Sequence, residues 1–64
     1  MTNLLKKFYC YQSQCIIIDK KYMTNQLKND CIDYITNNKD YVLYYIEDDF
    51  DPHYIITHIN FLNN

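Results

Sequence analysis

The stretch YVLYYIEDDFDPHYIITHINFL, Tyr41 to Leu62, decides how this chain folds. Residues 41 to 47, YVLYYIE, are aromatic and β-branched almost throughout, types that suit a pleated strand. Residues 54 to 62, YIITHINFL, read the same way. Between the two runs lie Glu47, Asp48, Asp49, Phe50 and Asp51, followed by Pro52. The Asp51-Pro52 pair suits a turn and resists helix. Two strands joined by an acidic hairpin loop are therefore predicted. Residues 41 to 46 are apolar at every position, which a strand with one wet face does not need.

Upstream the period changes. Met23, Leu27, Cys31, Tyr34 and Ile35 recur at helical spacing, while Lys28, Asn29 and Asp33 fall elsewhere on the wheel. Thr24 is the expected N-cap, and Leu27 at the third helical position means that no capping box forms. NNKD, residues 37 to 40, ends the helix, with Asn37 or Asn38 expected to take a left-handed conformation. Residues 8 to 18, FYCYQSQCIII, read as one strand bent near Ser13, and DKKY then turns the chain. TNLLKK, residues 2 to 7, is read as a helical turn or a frayed end.

The expected fold is thus α+β: a small two-layer domain in β-α-β-β order, with a three-stranded, mostly antiparallel sheet and one helix on one face. Residues 1–64 are read as a single small domain, since the length leaves room for no more. One helix cannot cover both faces of a sheet. The other face should carry tyrosine and aliphatic side chains and meet a partner, most simply in a homodimer. The alternative is that Leu4, Leu5 and Phe8 fold over it.

Gly, Ala, Arg and Trp are all absent, and Ile, Asn, Tyr, Lys and Asp dominate. The missing Gly, Ala and Arg have GC-rich codons, so the composition points to an AT-rich genome such as a virus, a phage, a low-GC bacterium or a parasite. Without glycine, any left-handed position is expected to fall to Asn or Asp. Glycine-rich phosphate loops are excluded. Three cysteines make too few for a disulfide framework, and the start has no signal-peptide pattern. The longest apolar run, YVLYYI, falls far short of the ~20 residues needed to cross a bilayer. A cytoplasmic protein with reduced thiols, in the host cell if the origin is viral, is expected.

No catalytic signature is present, and neither enzyme activity nor a cofactor is expected. Cys10 and Cys15 are five apart, as are His53 and His58, which sets each pair on opposite faces of a regular strand. A zinc site needs four converging ligands, so no metal site is expected. The acids of the loop lack the calcium-loop pattern. Direct nucleic-acid binding is disfavoured by 6 basic residues against 8 acidic ones and a net charge of −2.

What remains is a small non-enzymatic binding or inhibitory protein that occupies the surface of a host protein, for instance a nucleic-acid-handling one with a basic groove. Glu47, Asp48, Asp49 and Asp51 would steer that encounter, with Phe50 as an apolar anchor and Tyr44, Tyr45 and Tyr54 alongside. The alternative function is a nucleic-acid-binding accessory protein using a tyrosine-bearing sheet face. Interaction with a membrane is not expected.

Overall fold

The computed structural model describes residues 3–62. The chain runs α1 (Asn3–Lys6), β1 (Tyr9–Cys10), β2 (Cys15–Asp19), a 3-10 turn (Lys20–Tyr22), α2 (Asn25–Asn37), β3 (Tyr41–Ile46), β4 (His53–His58) and α3 (Ile59–Leu62). It is a small α+β domain whose sheet has four strands in the order β1-β2-β4-β3, with every neighbouring pair antiparallel. The acidic loop does join two adjacent antiparallel strands, β3 and β4. Thr24 caps α2, its Oγ1 accepting from the Leu27 N–H at 3.1 Å. Among the described residues, no helix is long and apolar enough to cross a membrane.

Several expectations need correction. The run from Phe8 to Ile18 is not one bent strand but a hairpin, with residues 11–14 as the turn and Gln14 at φ 56°. The expected three strands in β-α-β-β order are therefore four, with one more strand before the helix. A single strand over residues 8 to 18 would run well past the end of β4 at His58. Folding back gives the surplus a partner of its own. The left-handed position falls to Gln14 and not to an asparagine: Asn38 ends α2 at φ −130°.

The amides of Asn37 and Asn38 instead donate to the Asp33 and Tyr34 carbonyls at 2.9 and 2.8 Å. They satisfy carbonyls at the helix end without a glycine. Residues 59 to 62 are helical, not strand. The last ladder bond runs from the Ile59 N–H to the Asp40 carbonyl, 2.7 Å, because β3 offers no earlier residue to pair with. His58 Nδ1 then accepts from the Asn60 N–H at 3.1 Å and starts a new turn. Of the N-terminal helical reading, Thr2 lies outside the described residues.

The core sits on one face of the sheet. Ile16, Ile18 and Ile56 point up from it to meet Leu27 and Cys31 of α2 and Leu5 of α1. Leu43, Tyr54, Tyr41 and Tyr9 pack around that cluster. Cross-strand partners share a face, so the register places Cys10, Cys15, Ile17, Thr57, Ile55, Val42, Tyr44 and Ile46 on the other side. Leu5 is fully buried with α2, so the N-terminal turn reinforces the covered face; on the second, open face only Cys15 and Thr57 are buried among the described residues. α3 also leans to the covered side, with the Phe61 ring 6.3 Å from that of His58.

Candidate functional site

The loop between β3 and β4 is organised by its first aspartate. Asp48 Oδ1 accepts from the Phe50 N–H at 2.8 Å and the Asp51 N–H at 3.3 Å. This is the Asx geometry that lets a short polar side chain stand in for a backbone turn. The Phe50 hydrogen bond, followed by that of Asp51, holds the Asp48 carboxyl below the usual carboxylate range. At the far end, the Pro52 carbonyl accepts from the Lys20 N–H at 3.0 Å, tying the loop to the 3-10 turn.

Phe50 stands at the tip, 98% exposed. Aromatic side chains gain more from burial than nearly any other type, so a phenylalanine left in water is the most conspicuous feature of the surface. Asp19, Lys20, Lys21, Asp51 and Pro52 line a shallow groove beside it. Asp51 and Asp19 lie within reach of one another. Hydrogen bonding toward the Asp19 carboxyl, and then the Asp19 charge, raise the Asp51 carboxyl above its ordinary value. His53, the strand partner of Asp19, has Nδ1 2.6 Å from the Asp51 carbonyl and 3.9 Å from Asp51 Oδ2. Sequence proximity to Asp51 could have hinted at His53. Nothing in the sequence pointed to Asp19, which arrives from a different strand.

The eight residues expected to bind a partner do not form one surface. Glu47, Asp48, Asp49, Phe50 and Asp51 are contiguous and exposed. Tyr44 lies on the open face. Tyr45 and Tyr54 are cross-strand partners on the covered face, their rings 4.8 Å apart. Strict alternation along a strand forces the split between Tyr44 and Tyr45.

The cysteine expectation also changes. Cys10 and Cys15 are not on diverging faces: the hairpin sets them directly opposite, as Cα partners. Ser13 Oγ is 3.0 Å from Cys15 Sγ. Hydrogen bonding from Ser13, side chain first and then backbone, lowers the pKa of Cys10. All three cysteines are free thiols. The turn, residues 11–14, carries no glycine, asparagine or aspartate to mark a hairpin in the sequence. Among the described residues, no three His, Cys, Asp or Glu side chains converge to hold a metal ion.

No family model matches the chain, and neither a curated protein nor a solved structure matches it.

Proposed function

We propose that this chain is a small non-enzymatic binding protein that acts by occupying the surface of a partner protein. The observation that carries the reading is Phe50, 98% exposed on a loop held in shape by Asp48. Full burial of such a side chain is worth about 1.5–3 kcal/mol, enough to anchor a contact. Because Asp48 holds the loop in place, little ordering cost remains to be met on binding. The complementary surface is an apolar pocket rimmed by lysine or arginine, which Asp49 and Asp51 would steer into place. The AT-rich composition is compatible with a virus, phage or other mobile element as the source, where such a protein would act as an inhibitor. The nucleic-acid role finds less support, because Tyr44 is the only strand tyrosine on the open face among the described residues.

Affinity capture from the source organism, with and without nuclease, tests the reading. A protein partner retained after nuclease and lost with Phe50→Ala is expected. Asp49→Asn should slow association and flatten its salt dependence, since among the described residues Asp49 makes no bond that holds the loop. Partners that vanish with nuclease, or that ignore Phe50→Ala, would refute it.

A further inference from the structure

Strand β3 is the long free edge of the sheet, and its outward backbone groups can be identified from the ladder. The Ile59 N–H donates to the Asp40 carbonyl, so that pair is a bonded one. Bonded and non-bonded pairs alternate along antiparallel strands. Val42, Tyr44 and Ile46 therefore bond inward to Thr57, Ile55 and His53. Tyr41, Leu43 and Tyr45 turn their N–H and C=O groups outward. Of these, the Tyr41 N–H donates to the Asn38 carbonyl at 2.9 Å. The N–H and C=O of Leu43 and of Tyr45, with the Tyr41 carbonyl, are left without a partner among the described residues.

Exposed edges are normally blunted by lysine, proline, a bulge or a covering element. β3 is YVLYYI, six residues with no charge and no proline. The opposite edge, β1, is only two residues long and is already short enough to be harmless. All the pairing capacity of the sheet is therefore on one side.

We propose that β3 pairs antiparallel with β3 of a second copy of this chain, about a two-fold axis through Leu43, joining two sheets into one. Leu43 then exchanges both backbone bonds with Leu43 of the partner subunit. The Tyr45 N–H donates to the carbonyl of the partner subunit's Tyr41, and symmetry repeats that bond. The Tyr41 N–H keeps its turn. From Tyr41 to Tyr45 every facing side-chain pair is apolar: Tyr41 meets Tyr45 of the partner subunit, and Val42 meets Tyr44 of the partner subunit, while Ile46 lies level with Asp40 of the partner subunit.

Charge selects the register. With Leu43 on the axis, Glu47 lies level with Lys39 of the partner subunit, once at each end of the seam. A slip of two residues in one direction brings Asp48 against Asp40 of the partner subunit. A slip in the other direction sets Lys39 against a tyrosine and shortens the paired region. Opposite charges facing across strands stabilise a pairing and like charges oppose it. Both helical layers fall on the same side of the joined sheet, and the two open faces become continuous. This dimer does not depend on the Phe50 reading, since Phe50 and Asp49 remain free at its ends.

Sedimentation velocity over micromolar to millimolar concentrations, with the chain made by total synthesis, is the test. The expected result is a concentration-dependent dimer. N-methylation of Leu43 removes an outward N–H and leaves the ladder to β4 whole, so it should abolish the dimer while the far-UV dichroism stays unchanged. Lys39→Glu and Glu47→Lys should each weaken association by about tenfold, and the combined exchange should restore it. A chain that stays monomeric would hand the edge to another protein's strand or to water, and overturns the proposal. A dimer indifferent to the N-methyl group uses another surface and overturns it as well. Charge variants that weaken the dimer without mutual rescue would overturn the register.

Discussion

Replacing Ile56 and Ile55 separately by alanine puts the two-faced sheet to a direct test. The two residues are neighbours on β4, and both changes cost the same strand propensity, so their difference isolates burial. Ile56 is 1% exposed between Ile16 and Leu43, beneath Leu27 and Cys31. Truncating an isoleucine in such a site costs about 2–5 kcal/mol, because the cavity adds to the lost transfer energy. Ile55 is half-buried on the open face, where no helix sits over it, and its truncation should cost about 1 kcal/mol. Stability of roughly 0.05–0.15 kcal/mol per residue gives a chain of this length about 3–10 kcal/mol in all. Ile56→Ala should therefore remove a large share of the stability, and Ile55→Ala a small one.

Urea unfolding followed by far-UV dichroism, at one protein concentration for both variants, measures the gap. A difference of about 1–4 kcal/mol is expected, with little change in the denaturant slope. Equal costs, or a larger one at Ile55, would mean that the second face is covered by something as close-packed as α2. That outcome would refute the placement of the core.

Two further outcomes follow from titrating groups. The Asp51 carboxyl is raised by Asp19, so the native state binds its proton more tightly than the unfolded chain does. Any stability linked to that proton is present below the unfolded carboxylate range and lost as pH rises through the native value. Asp51→Asn should accordingly raise the melting temperature at pH 7, with a gain that fades on acidification. Asp48 has the opposite sign, since its carboxyl is lowered by the loop N–H groups. Its charge-linked contribution is present above the unfolded range and lost as pH falls through the native value, so Asp48→Ala should lower the melting temperature at pH 7 and by less in strong acid. Melting curves from pH 2 to 8 decide both, and shifts of the reverse sign would refute the loop geometry.

The thiols should separate in the same way. Cys31 is fully buried, and desolvation, with Asp30 adding to it, pushes its pKa up to about 11. At pH 8 an aromatic disulfide reagent should modify Cys10 first and Cys31 only on unfolding. Peptide mapping of the labelled chain reads the order, and early modification of Cys31 would contradict its place in the core.

Much of the architecture was legible because it rests on local physics. The period of Met23, Leu27 and Cys31 marks α2, and Thr24 caps it through a bond three residues long. The acidic run with Asp51-Pro52 marks a hairpin loop, since proline excludes helix and ladder alike. The β character of residues 41 to 46 follows from their side chains alone. What the sequence could not show were the properties that depend on which segments meet. Residues 8 to 18 have one composition throughout, and only the tertiary fold shows that they turn back at residues 11–14 and set Cys10 opposite Cys15. Residues 59 to 62 look like strand, yet β3 has no backbone left to pair with them.

The same holds for the site. A strand that is apolar at every position states that both faces matter, without stating which one meets the helix. Tertiary packing decided it, by burying Ile56 and Ile16 under Leu27 and leaving Tyr44 on the other side from Tyr45. Alternation along a strand is a local rule, but its phase relative to the core is set by contacts distant in sequence.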